Sequence, residues 1–205
     1  NECDGTILQY QTGSVCVNFD YNSDYMISCC DDGDISILNS KNISQKYKFK
    51  GNKNGVRYVK FIRYDSDDEY KYFGVCGCDG NFSVYKIDKD IKEKSIEAVK
   101  VANFDNIFQK IKAKDELQSL TFDCNNNGLV ALSGNNDIKM ISVKDMKISY
   151  TLTGHNSVVN CVSFSSNDKY IASSDVNGSV CIWQSNDDKY KLLISKNNIA
   201  NGHGI

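Results

Sequence analysis

Side chains suited to proton transfer are scarce in this chain of 205 residues, which holds two histidines, His155 and His203, each directly after a glycine. With so little imidazole, acid–base chemistry has few candidates, and His155 is not expected to act as a base. The nine cysteines could supply nucleophiles or soft metal ligands. The closest thiols are Cys29-Cys30 and the Cys76/Cys78 pair, and neither has the Cys-x-x-Cys spacing with a second pair or histidines that zinc requires. Adjacent residues of a strand point to opposite faces, so Cys29 and Cys30 are not expected to share an ion. The acidic run from Asp65 to Glu69 offers oxygens but lacks the glycine and the terminal bidentate carboxylate of a calcium loop, and reads as a solvated hairpin tip. No glycine-rich phosphate loop, Gly-x-Ser-x-Gly elbow or His-Glu-x-x-His pair occurs. The expectation is therefore no catalytic residue, no metal and no cofactor.

Composition narrows the remaining classes. With 40% hydrophobic and 24% charged residues the chain can bury an ordinary globular core, which argues against disorder. Formal charge is −2, and Arg57 and Arg63 are the only arginines, leaving little bidentate guanidinium chemistry for phosphate. Direct binding of nucleic acid or phosphoinositide is disfavoured on that ground. No run of 18 apolar residues is present and residues Asn1 to Gly5 carry no signal pattern, so no membrane role is expected. Cysteines scattered through apolar strand patterns, in odd number, fit reduced thiols in a cytoplasmic or nuclear protein. Zero proline beside abundant Asn and Lys fits an A/T-rich genome such as a protist's.

The elements that would hold these residues are strands. Alternating apolar pairs run from Val15 to Phe19 with Tyr25 to Cys29, Val56 to Ile62 with Tyr70 to Cys76, Leu117 to Phe122 with Leu129 to Ser133, and Ser157 to Phe164 with Tyr170 to Ser174. A turn follows each pair, at Asp32-Gly33, Asp79-Gly80, Asn135-Asn136 and Asn177-Gly178, and one more stands at Asp4-Gly5. Such pairs read as two-residue hairpin turns with positive φ. Tyr47 to Phe49 and Tyr150 to Leu152 are candidate outer strands leading into Gly51 and Gly154. Between Asp88 and Glu116 lies an insertion, first charged, then with Phe104, Ile107, Phe108 and Ile111 at helical spacing, which predicts a short helix from Asp105 to Ala113 that packs on a rim or docks a partner.

The order Gly154-His155, strand, turn, strand, Asn177-Gly178, strand ending at Trp183 resembles one blade of a WD40 β-propeller, and the turns stand 28, 47, 56 and 42 residues apart, against about 40–45 for that unit, the 28 and 56 marking an incomplete first blade and an insertion. The resemblance covers nearly the whole chain. It implies an all-β fold, a partial ring of about four to five blades in one domain: a remnant over 1–13, blades 14–51, 52–116 with the insertion 88–116, 117–154 and 155–201, and the opening of another unit at 202–205. Missing sequence, a second copy or a partner would complete such a ring. The family's buried tetrad maps onto His155, Ser173 or Ser174, and Trp183, with Asn177 in the aspartate position, an expected weakening of the network. The family's interaction face maps onto Asn54, Arg57, Tyr58, Asn156, Asn160, Asp31, Cys78 and Val176, with Arg57 and Tyr58 foremost. The implied function is a non-catalytic protein-interaction scaffold in a multiprotein complex. The alternatives are a nucleic-acid-associated WD40 subunit, as in ribosome assembly, and a propeller enzyme.

Overall fold

The computed structural model describes residues 14–42, 46–51, 55–64, 70–77, 80–88, 99–104, 121–187 and 189–197. Sixteen strands make four antiparallel sheets, each taking four strands in chain order. The first contains β1 (Ser14–Phe19), β2 (Tyr25–Cys30), β3 (Asp34–Asn39) and β4 (Lys46–Lys50). The second contains β5 (Val56–Ile62), β6 (Tyr70–Gly77), β7 (Phe82–Asp88) and β8 (Val99–Phe104). The third contains β9 (Phe122–Cys124), β10 (Leu129–Ser133), β11 (Asp137–Ser142) and β12 (Lys147–Thr153), and the fourth β13 (Val159–Phe164), β14 (Tyr170–Asp175), β15 (Val180–Asn186) and β16 (Lys189–Lys196). The first strands β1, β5, β9 and β13 neighbour one another in sequence, so the sheets fan out from a common inner edge as a partial propeller. Among the described residues the four sheets do not close into a ring.

Packing explains the apolar runs of the middle strands, because each inner sheet buries both faces. On β6, Phe73 and Val75 join Ile27, Cys29, Ile35 and Ile37 in the first seam, while Tyr72 and Cys76 turn into the second seam with Phe122, Val130, Leu132 and Ile141. In the third seam Ala131, Ile138, Met140 and Leu152 meet Val159, Ile171, Cys181 and Trp183. Gly74 lies where the rings of Phe82 and Phe122 approach the backbone, with no room for a Cβ. On the outer faces of the first and last sheets Val17, Phe19, Tyr170 and Ile194 stay exposed.

The turns between second and third strands differ from the two-residue reading. Gly33 donates to Cys30 O and Gly178 to Asp175 O, closing three-residue loops in which only the glycine has positive φ, 88° and 77°. This is a tight turn followed by a left-handed glycine that forms a bulge. Three of the inner strands, β1, β5 and β13, carry a further bulge, between Ser14 and Cys16, Val56 and Tyr58, and Val159 and Cys161.

Two other expectations change. Residues Val99–Phe104, placed in the insertion over 88–116, form the outer strand β8, with Phe104 opposite Phe82 and Val99 opposite Lys86. Phe104 therefore belongs to a sheet ladder, not to a helical face; the rest of the expected helix lies outside the described residues. The third inner strand occupies Phe122–Cys124, later than the apolar run suggested. The turn at Asp4-Gly5, the acidic run 65–69 and His203 also lie outside the described residues.

Candidate functional site

The buried network of the fourth sheet is built on two adjacent strands, β14 and β15, and the loop before β13. His155 Nδ1 lies 3.0 Å from Asp175 Oδ2 and its Nε2 lies 2.7 Å from Ser173 Oγ. Trp183 Nε1–H donates to the same hydroxyl at 2.8 Å. An ionised carboxylate can only accept, so it takes a hydrogen bond from Nδ1–H; a neutral imidazole then accepts at Nε2 from Ser173 O–H, and Ser173 Oγ accepts from the indole. Every polar atom of the chain of bonds is satisfied.

The aspartate of this network is Asp175, not Asn177. The loop contains three residues, 176–178, so the strand ends at Asp175, one position earlier than a two-residue turn at 177–178 implies, and the Asp175 carboxylate also accepts from the backbone N–H groups of Asn177 and Ser179 at 3.0 and 2.9 Å. Asn177 itself is exposed. Ser174 faces the opposite side and donates to Asn160 Oδ1 at 2.9 Å. At the position of Asp175 the other sheets carry Cys30, Gly77 and Gly134, so none of them repeats the imidazole–carboxylate bond there. The neighbouring Ser133 instead closes its sheet by bonding Thr121 N and O.

An aspartate–histidine–serine order is also that of a hydrolase triad, and burial separates the two uses. The His155 and Asp175 side chains are 1% and 0% exposed, and the Ser173 hydroxyl is occupied by the indole. A nucleophile must reach a substrate carbonyl; this serine faces a packed seam. The arrangement locks β14, β15 and the loop before β13 together.

The rim at the end of the strands where Asp31 and Val176 turn gathers part of the expected interaction face. Arg57 Nη1 approaches Asp31 Oδ1 at 3.3 Å, joining the first sheet's turn to the second sheet's inner strand. The Arg57 Nε is buried and has no hydrogen-bond partner among the described residues. Tyr58, expected to be a foremost contact, is half-buried with its ring edge-on to Phe122 at 5.3 Å, and burial, then the neighbouring Cys16 and Asp123, push its hydroxyl well above the ordinary range. Asn156 is exposed, whereas Asn160 is partly buried, its backbone oxygen accepting from Thr121 Oγ1 and its side chain from Ser174. Val176 N–H donates to Val158 O, tying the turn to the loop before β13. Asn54 and Cys78 lie outside the described residues.

Sequence reasoning missed the polar links between sheets. Lys60 on β5 reaches Asp123 on β9 at 2.6 Å, and the other carboxylate oxygen accepts from Phe164 N–H and Ser163 Oγ of β13 at 2.8 and 3.2 Å, so one side chain ties three sheets. Lys71 on β6 meets Asp20 at 2.7 Å, both nearly buried, with the ammonium beside the Tyr21 and Tyr25 rings. The first seam is thus pinned at both ends, by Asp31–Arg57 and Asp20–Lys71. Cys30, Asp32 and Asp34 bring potential ligand atoms within 4.8 Å of one another. Here the Cys30 thiol donates to Asp32, Asp34 N–H donates to the same oxygen, and Lys50 neutralises the Asp34 carboxylate at 2.6 Å, so turn closure and an ion pair account for the cluster.

A family model for the WD domain, G-beta repeat, matches residues 2–39 and 146–184. The chain is similar to the WD40-repeat family over these two stretches. The second matched stretch runs from the end of the third sheet through β15, so one WD40 sequence unit straddles a seam and its backbone couples adjacent blades. WD repeat and HMG-box DNA-binding protein 1 of Xenopus laevis is 26% identical over 202 residues, covering 94% of this chain and 16% of that protein. The chain thus spans a small part of that WD40 relative's length. Among the described residues no helix is long and apolar enough to cross a membrane.

Proposed function

We propose that this WD40-like chain is a non-catalytic protein-interaction scaffold whose rim around Asp31, Arg57, Asn156 and Val176 meets a partner, with Asn54, Cys78, Tyr58 and Asn160 at its edges. The observation that carries the reading is Arg57. Its guanidinium is held at 3.3 Å by one carboxylate and keeps an Nε donor unmet among the described residues, on a rim fixed by strands on both sides. A buried donor without an acceptor costs about 1–3 kcal/mol, and an acidic group from a partner would complete the fork. The rim is already ordered, so a partner gives up little conformational freedom of the scaffold on docking. His155, the one described histidine, is committed to the blade, which supports binding rather than turnover. We place the protein in cytoplasmic or nuclear assemblies.

Affinity capture from the source cells tests this. Arg57→Ala and Asn156→Ala should each remove partners recovered with the wild type while thermal stability is retained, and Arg57→Lys should restore little because it lacks the fork. Capture unchanged by all three substitutions would exclude this rim.

The second reading is a subunit of a nucleic-acid-bound assembly, favoured by the relative named for an HMG-box DNA-binding function. Both arginines are engaged, Arg57 with Asp31 and Arg63 with Asn126 and the Tyr21 ring, so contact with nucleic acid would come through other subunits. Binding of the isolated chain to duplex DNA or RNA with a steep salt dependence would overturn that indirect role.

A further inference from the structure

The bulge at the start of β1, β5 and β13 sets one side chain against a partner on the next strand, and the three pairs differ: Tyr58 faces Cys76, Cys161 faces Ser174, and Cys16 faces Cys29. Only the first sheet puts two thiols opposite each other. Directly opposed residues of antiparallel strands have Cα atoms about 4.5–5.5 Å apart, inside the roughly 4.4–6.8 Å that disulfides bridge. Cys16 is partly accessible and Cys29 is fully buried beneath it. Both line the first seam, whereas Cys30 belongs to the opposite face, where its thiol bonds Asp32.

The surroundings favour a thiolate on the outer sulfur. Asn18 Nδ2–H donates to Cys16 Sγ at 3.1 Å. A hydrogen bond from the Cys29 thiol, with smaller contributions from Val59, Asn18 and Lys60, draws Cys16 down to about 7 against its partial burial. The same bond and desolvation hold Cys29 in its protonated form, far above the ordinary thiol range. The other titratable neighbours, Tyr58 on β5 and Cys76 on β6, are pushed upward and stay neutral.

We propose that Cys16 and Cys29 form a hydroperoxide-reactive dithiol site, in which Cys16 is the attacking sulfur and Cys29 the resolving one, giving a cross-strand disulfide between β1 and β2. In the first step the Cys16 thiolate attacks the peroxide; an S–O bond forms, the O–O bond breaks, and the departing alkoxide or hydroxide takes a proton. Cys16 is then a sulfenic acid. In the second step the Cys29 sulfur attacks Cys16; the S–S bond forms, the S–OH bond breaks, and hydroxide leaves as water with the Cys29 proton. The sum is two thiols oxidised and one hydroperoxide reduced to alcohol or water, and a dithiol reductant reverses it.

The test uses the whole chain with limiting hydrogen peroxide, followed by differential alkylation and peptide mass spectrometry. A linked Cys16–Cys29 peptide, lighter by two hydrogens and restored by dithiothreitol, is the expected result. Iodoacetamide labelling of reduced wild type should show Cys16 reacting with a half-maximal rate near pH 7, rising with pH as the thiolate fraction rises. Cys29→Ser should leave a dimedone-trappable sulfenic acid on Cys16, and Cys30→Ser should leave the disulfide intact. Because labelling and linkage are read on the wild type, a variant that fails to fold does not decide the matter. Oxidation that starts at the exposed Cys161 with Cys16 unmodified, or linkage through Cys30, would overturn the assignment.

Discussion

Replacing Asp175 by alanine removes the hinge of the fourth-sheet network, and its cost can be worked from the contacts. A hydrogen bond to a charged acceptor contributes about 1.5–3 kcal/mol, and stranding a buried N–H costs about 1–3 kcal/mol more. Asp175 supplies the first to His155 and the second to Ser179, which is 8% exposed, so Asp175→Ala is expected to cost about 3–5 kcal/mol. Asn177 contributes only a backbone N–H and its side chain is exposed, so Asn177→Ala should change stability by less than about 0.5 kcal/mol. In urea, where chains of this size lose about 1–3 kcal/mol of stability per molar, the first variant should lower the midpoint by about 1 M or more and the second should not move it. A cycle with His155→Ala should show strong coupling to Asp175 and none to Asn177. Equal midpoint shifts for the two variants, or a cost below about 1 kcal/mol for Asp175→Ala, would refute the assignment of the carboxylate.

The seams give further tests. Gly74→Ala places a Cβ 2.5 Å from Phe122 Cζ and 2.8 Å from Phe82 Cε2, so it should destabilise by about 1–3 kcal/mol in thermal unfolding, with part of the loss recovered by Phe122→Leu. Asp123→Ala should cost about 1–3 kcal/mol, more than Lys60→Met, because the carboxylate also holds Phe164 N–H and Ser163; amide exchange at Phe164 should accelerate in the first variant only. Tyr85→Phe removes the hydroxyl that donates to Gly51 O at 2.9 Å and should cost about 0.5–1.5 kcal/mol without disturbing the ring stack on Phe73, read by urea unfolding.

The strands were legible because each sheet repeats the same alternation and ends its second strand at a glycine turn. What the sequence hid was register. Gly33 and Gly178 announce turns, but whether two or three residues form the loop decides if Asp175 or Asn177 faces His155, and that is settled by pairing across strands rather than by turn composition. Strand β8 was obscured because its alternation, Val99 to Phe104, runs into apolar residues at helical spacing; a fourth ladder on β7 outweighs that local pattern. Asp123 carries no local signal, since its partners Lys60 and Phe164 are brought to it only when three sheets stack. Tyr58 looked like a surface anchor by residue type, yet the bulge beside it turns the ring onto Phe122. The thiol pair was visible as two cysteines but not as neighbours, because opposition of Cys16 and Cys29 depends on the bulge after Ser14.

The single tryptophan is worth more than its share of burial. Trp183 sits in the third seam, 2% exposed, with its indole N–H bonded to Ser173. Its emission therefore reports on one blade boundary alone, while the tyrosines clustered about the first two boundaries report through far-ultraviolet and near-ultraviolet bands of their own. Comparing the two optical signals during denaturation would tell whether this fan of sheets comes apart as a unit or peels away one wedge at a time.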